Sequence, residues 1–339
     1  MNRSDFLIRL LHYYRDVGFT GNICISDSSN AEHVDRIKKA IQTLKGQLKI
    51  VYQEYPYVND IRGQVQLIDS VSTPYVALVP DDDFLIPATI DRCIKFLDSH
   101  ADYSAAHGVG IALTLKSSTP YGQITRLERY QQTVREEETA SQRLFNHLSN
   151  YTVSLFSVHR IEAWRAMYRD AALLKEKAFS WELLPCCLSV ILGKVKELDY
   201  LYLVRQIHER RYHLRPANNW LTDLDWPNDY NIFVNCLAKE VTHADNIDQG
   251  EAINLVKTAF QVYLDKTLIK PEQGHLVISR LKQLAGMVPG AQRIWSHLHP
   301  MKQPNELSLA DLLKPSFHYY DDFIPIYKNL TTVPVDTEY

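Results

Sequence analysis

The sequence lacks an excess of positive charge, a paired-cysteine framework and a long apolar run, and each absence narrows what the chain does. Its 37 Lys and Arg against 40 Asp and Glu leave a formal charge of −3, so no global basic field draws it toward nucleic acid. Nucleic-acid binding is not expected. The five cysteines, Cys24, Cys93, Cys186, Cys187 and Cys236, are odd in number and show no Cys-X-X-Cys spacing, which reads as buried thiols in a reducing compartment. No apolar run is long enough to cross a bilayer, and Met1 to Asp5 does not lead into a signal-peptide core. A cytoplasmic protein, or one peripheral to the inner face of the membrane, is expected, with no transmembrane segment. Low-complexity tracts and internal repeats are also missing.

What is there suits a soluble globular protein: 339 residues, 45% hydrophobic and 23% charged, enough for one large domain or a domain with a helical appendage. Phe6, Leu10, Leu11 and Tyr14 recur at helical spacing, and Gly18 ends that element. Short apolar strands follow at Asn22 to Ser26, Leu48 to Tyr52 and Pro74 to Pro80, separated by helices whose stripes are Val34, Ile37, Ile41 and Leu44, then Ile61 to Val71. Pro87 sits at the next helix start, where its missing N–H costs nothing. Strands alternating with helices through residue 100 indicate an open, mainly parallel α/β sheet, whose ligands gather at the carboxyl ends of the strands. Further on, strands are expected at Tyr103 to His107, Gly110 to Leu115, Thr125 to Val134, Thr152 to Val158 and Val195 to Val204. Glu136-Glu137-Glu138 is expected to open a helix through Leu148, Arg160 to Asp170 to form another, and an apolar helix to run from Leu183 to Leu192. Beyond Pro216 the pattern turns mainly helical, with Ile232 to Val241, Ala252 to Leu264 and Leu276 to Ala285 as helices. The expected division is a sheet domain over 1–215 and a helical region over 216–339.

The feature that most constrains function is Asp81-Asp82-Asp83, which follows the apolar run Pro74 to Pro80. Three carboxylates at the end of a buried strand repel one another unless a cation or hydrogen-bond donors satisfy them. Hard carboxylate oxygens select magnesium, manganese or calcium and leave room for a phosphate-bearing ligand. The alternative is a solvated acidic turn ahead of the helix at Pro87.

Four segments, in order, resemble the family-2 glycosyltransferases and their relatives with the GT-A (Rossmann-like) fold, over residues 2–213. Ile23-Cys24-Ile25-Ser26-Asp27 resembles the strand whose terminal Asp contacts the nucleotide. Tyr75 to Pro87 resembles the Asp-X-Asp segment. Trp181-Glu182, opening the helix that ends at Gly193, resembles the acidic pair that supplies the catalytic base. Arg205-Gln206-Ile207-His208 resembles the Arg and His that approach the donor diphosphate. The resemblance implies that Asp82 and Asp83 hold a divalent cation, Mn²⁺ or Mg²⁺, that Asp27, Asp81, Arg205 and His208 face a nucleotide-sugar donor, and that Glu182 takes the acceptor proton. Which of Asp81, Asp82 and Asp83 bind the metal stays open at this point. Asp27 also reads as an N-cap, Glu182 as a first-turn helix acid, and His208 as a surface histidine.

The chain departs from the family in two places. Trp181-Glu182 stands where Glu-Asp is common. The family also opens with a strand ending in Thr-X-Tyr-Asn-Arg, whereas this chain begins Met1-Asn2-Arg3, and a start farther upstream is expected. The resemblance implies a metal-dependent inverting glycosyltransferase acting on a glycan or lipid-linked saccharide, in bacterial surface glycan synthesis. Its helical end is expected to cover the acceptor side or to form a homodimer. The alternative is a catalytically inactive relative that binds nucleotide or carbohydrate.

Overall fold

The computed structural model describes residues 1–55, 61–211, 213–268 and 307–332. The alternation expected through residue 100 is present: α1 (Ser4–Asp16), β1 (Asn22–Asp27), α2 (Ala31–Thr43), β2 (Lys49–Glu54), α3 (Ile61–Asp69), β3 (Tyr75–Ala77), β4 (Phe84–Leu85) and α4 (Pro87–Ser99). Then follow β5 (Tyr103–Leu115), β6 (Ile124–Tyr130), α5 (Ala140–Ser149), β7 (Val158–Arg160), α6 (Ile161–Tyr168), a wide π-type turn at Ala178–Leu183, α7 (Leu184–Ile191) and β8 (Lys194–Ile207). Helices α8 (Ala217–Trp220), α9 (Trp226–Asp245) and α10 (Gln249–Leu268) come next, and α11 (Leu309–Leu312) and α12 (Tyr320–Thr331) close the described chain. The fold is therefore α/β with a helical C-terminal region. The helix expected at Leu276 to Ala285 lies outside the described residues.

The described strands form two sheets. β1 and β2 pair in parallel, Asn22 opposite Lys49 through Asp27 opposite Glu54. The other sheet runs β3-β7-β5-β8-β4, with β6 also on β5. There the long β5 and β8 are parallel, whereas β3, β4, β6 and β7 pair antiparallel with their neighbours. The register of β5 and β8 shifts beside Gly108. A Cβ on Gly108 would overlap the Tyr200 carbonyl oxygen, so glycine is needed where the two backbones close up.

Several boundaries differ from the sequence pattern for physical reasons. The two strands expected on either side of Gly108 are one strand, β5. The run Pro74 to Pro80 keeps only Tyr75–Ala77 in the sheet. The chain then turns at the acids, with Asp83 N–H on the Pro80 carbonyl at 3.2 Å, and re-enters as β4 against Leu203 and Val204 of β8. The strand expected over 152–158 is confined to Val158–Arg160, because the chain before it turns, with Ser157 N–H on the Ser154 carbonyl at 3.2 Å. Glu136 to Glu138 do not open α5. Thr139 is its N-cap, and the negative charge at its start comes from Asp245 of α9, which accepts from Ala140 and Ser141 N–H at 2.8 Å each.

The two largest hydrophobic cores among the described residues each draw on several helices. One gathers α5, α6 and α7 with α8, α9 and α10 around Leu144, Trp164, Phe179, Phe233 and Phe260. The other gathers α1 with α11 and α12 around Leu11, Tyr13, Phe84, Ile111 and Phe323. Residues after 216 thus enter both. Among the described residues no helix is long and apolar enough to cross a membrane.

His147 of α5 is fully buried, and neither ring nitrogen has a hydrogen-bond partner among the described residues. Burial pulls its pKa from 6.5 down to about 3, and burial likewise brings His159 down to about 4. Both rings stay neutral in the fold, so the unfolded chain binds more protons below pH 6.5, and the stability they contribute is complete above that value and lost as pH falls toward 4. We expect His147→Phe to abolish on the order of 1.5 kcal/mol of the loss between about pH 6.5 and pH 5. Thermal melts across that range check this, and equal slopes for the two proteins would exclude it.

Candidate active site

The acidic turn is largely buried and held by three arginines. Arg3, just before α1, grips Asp81 through Nη2 and through Nε at 3.1 Å, and donates from Nη1 to Asp82 Oδ2 at 2.7 Å. Arg9, one face along α1 and wholly buried, donates to the Asp82 carbonyl at 2.8 Å and to the Gln206 side chain. Arg205 of β8 donates from Nε to Asp83 Oδ2 at 2.8 Å, while Gln206 N–H donates to Asp83 Oδ1 at 3.0 Å. The Arg205 guanidinium lies 4.7 Å from the Tyr130 ring and 4.6 Å from the Phe156 ring, contacts that fix a planar cation.

His208 completes the cluster. Its Nδ1 accepts the Arg210 N–H at 3.2 Å, so Nε2 carries the proton and donates to Asp82 Oδ2 at 2.9 Å. Its ring stacks on Phe6 at 4.5 Å. Burial pushes the Asp82 carboxyl up, but the His208 bond and Arg3 outweigh it and hold it below the usual range. Burial raises Asp83, against the pull of Arg205. The same holds for Asp81, where burial outweighs Arg3.

Glu182 lies in the π-type turn ahead of α7. Pro185 has no N–H to give to the turn before it, so that turn is free to widen. The turn is fixed from outside: buried Asp229 of α9 accepts from Glu176 N–H at 2.7 Å and Lys175 N–H at 3.1 Å, and Phe179 packs among Trp220, Trp226, Phe233 and Phe260. Tyr151 hydroxyl donates to Glu182 Oε1 at 3.1 Å. Burial lifts the Glu182 pKa, with Tyr151 and the charge of Arg205 pulling it back. Arg205 thus pairs with Asp83, and its charge also lowers the Glu182 pKa.

Asp27, at the end of β1, accepts the Tyr52 hydroxyl at 2.8 Å and Ser29 N–H at 2.9 Å. The N-cap of α2 is Asn30 instead. Asn2 ties this loop to the acidic turn: its N–H reaches Ser29 Oγ at 2.8 Å and its side chain accepts from Asn30 N–H at 2.9 Å, next to Arg3.

A divalent cation does not fit Asp81, Asp82 and Asp83 in this arrangement. Both oxygens of Asp81, both of Asp83 and Oδ2 of Asp82 already accept from Arg3, Arg205, Gln206 or His208. Asp83, the sequence-based metal ligand beside Asp82, has a side chain with no exposure. Among the described residues no group of three or more His, Cys, Asp or Glu is arranged to hold a metal ion. Sequence reasoning missed Arg3, Arg9, Tyr130 and Tyr151. A signal for the first two existed, since Arg3 and Arg9 stand three residues before and after Phe6 at the start of α1.

The chain matches no family model and no curated protein. It is similar to solved structures of S. aureus TarS. It aligns with TarS 1-349 at 13% identity and a TM-score of 0.45, over 77% of this chain and 68% of that one. With TarS 1-349 in complex with UDP-GlcNAc the values are 12% and 0.48, over 79% and 73%. The full TarS structure gives 13% and 0.45, with 42% of that chain covered. At these scores no function follows from the likeness.

Removing the Tyr151 hydroxyl deletes a donor that favours ionised Glu182. We expect Tyr151→Phe to move the Glu182 pKa further up, as read from the pH titration of its carboxyl ¹³C resonance. A downward move would show that the hydroxyl does not serve this carboxylate.

Proposed function

We propose that the chain is a GT-A-type, family-2-like inverting glycosyltransferase that moves a hexosyl group from a nucleotide-sugar donor to an acceptor hydroxyl. Residues 1–215 would carry donor and catalysis, with 216–339 as the helical region that supports the base. What supports this most is Arg205, which pairs with Asp83 and whose charge acts on Glu182, a link among residues of three of the four segments that carry the family resemblance. In this reading Glu182 accepts the proton of the acceptor hydroxyl as its oxygen attacks the anomeric carbon. The bond from that carbon to the diphosphate breaks, and a nucleoside diphosphate leaves. Asp27 and Asp81 would face the nucleotide, Arg3 and Arg210 are the positive groups at hand for charge developing on the leaving group, and His208 is an N–H donor beside them. Mn²⁺ or Mg²⁺ on Asp82 and Asp83 is left out of this reading, because the oxygens that would hold it are engaged by the chain itself. A glycan or lipid-linked saccharide is the acceptor class the resemblance implies, and the helical end would cover the acceptor side or form a homodimer.

Thermal shift with a panel of nucleoside diphosphates, together with donor hydrolysis, tests the proposal. At least one nucleotide is expected to raise the melting temperature. Glu182→Gln is expected to keep that rise and to lower hydrolysis by roughly 10²–10⁴-fold. Nucleotide binding without hydrolysis, unchanged by Glu182→Gln, would replace the transferase by a binding protein, and the absence of any nucleotide shift would remove the donor site altogether.

A further inference from the structure

The charges at the acidic turn balance without an added ion. Three carboxylates, Asp81, Asp82 and Asp83, meet three guanidiniums: Arg3 on the first two, Arg205 on the third, and Arg9 on the Asp82 carbonyl. Arg3 is the one that spans two carboxylates. Its fork covers both oxygens of Asp81 and one of Asp82, and its side chain keeps 15% exposure against 5% for Asp82. Among the described residues three of its N–H groups are engaged this way, so two of the five that a guanidinium carries remain. A hard divalent ion bridging Asp81 and Asp82 would need those same oxygens. It would also sit against a fixed positive charge.

We propose that Arg3 takes the seat of the divalent cation, so that the wild-type chain excludes Mn²⁺ from the acidic turn and admits it only when Arg3 is removed. The guanidinium is suited to this because it is planar, permanently charged and bidentate toward carboxylate. Asn2 holds it in register by its two hydrogen bonds to the loop after β1. Arg205 and Arg9 do not share the role, since each is drawn into the interior by other partners: Arg205 by the Tyr130 and Phe156 rings, Arg9 by the Pro120 carbonyl and Gln206. The inference deepens the reading of the acidic turn given above, and it can be tested with no nucleotide present, so its failure leaves the transferase proposal standing.

The test is a titration of the full chain with Mn²⁺ alone, followed by the electron paramagnetic resonance signal of the free ion. Arg3→Met is expected to take up one Mn²⁺ at least about tenfold more tightly than wild type. The same variant should melt lower than wild type and regain part of the loss when Mn²⁺ is added, because the ion then satisfies carboxylates that lost their partner. Should Arg3→Met fail to fold, Arg3→Lys answers the same question. A single ammonium cannot cover both carboxylates, and a gain of about threefold is expected. Equal uptake by wild type and variant, or none by either, overturns the proposal.

Discussion

Mutual cancellation of charge at one turn organises this molecule. Asp81, Asp82 and Asp83 are too close to one another, and too well covered, to be tolerated alone. Their neutralisation draws in the start of α1 through Arg3, its middle through Arg9, and the end of β8 through Arg205 and His208. Elements far apart in sequence are thereby pinned to a single spot. Breaking a pair of this kind is costly because it strands a buried charge, about 3–5 kcal/mol in comparable cases.

Glu182 is positioned by different means. Its turn depends on packing and on one buried carboxylate, Asp229, which holds the backbone of Lys175 and Glu176. The aromatic set around Phe179 adds bulk that resists rotation of the turn. The helices after residue 216 therefore act on the candidate base although none of the family-like segments lies in them. The division between sheet and helical region separates contributions to one site.

Much of this was legible in the sequence, and the illegible part has a common cause. Helical stripes such as Val34, Ile37 and Ile41 and the apolar runs before Asp27 and Asp81 declare their elements locally, through spacing alone. The acidic turn stood out because nothing local could satisfy it. Its partners did not, since Arg3 meets it across 78 residues and Arg9 across 73, and periodicity carries no information at that range. Arg9 sits beside Phe6 and Leu10 on what reads as an ordinary apolar stripe. The start of α5 was misjudged for a related reason, because its capping charge, Asp245, comes from 105 residues away. Strand direction was hidden as well: alternation shows that a segment is a strand but not which way its neighbour runs, and so β5 and β8 gave no warning of their antiparallel flanks.

The first and last described helices share one core, Leu10, Leu11 and Tyr14 of α1 meeting Phe323, Ile326 and Leu330 of α12. The register shift that Gly108 accommodates strengthens this union, because Asp199, one of the residues passed over there, accepts the Tyr319 hydroxyl at 2.7 Å. Loss of α12 would therefore uncover Leu10, Leu11 and Tyr14 on the helix whose Arg9 reaches the acidic turn.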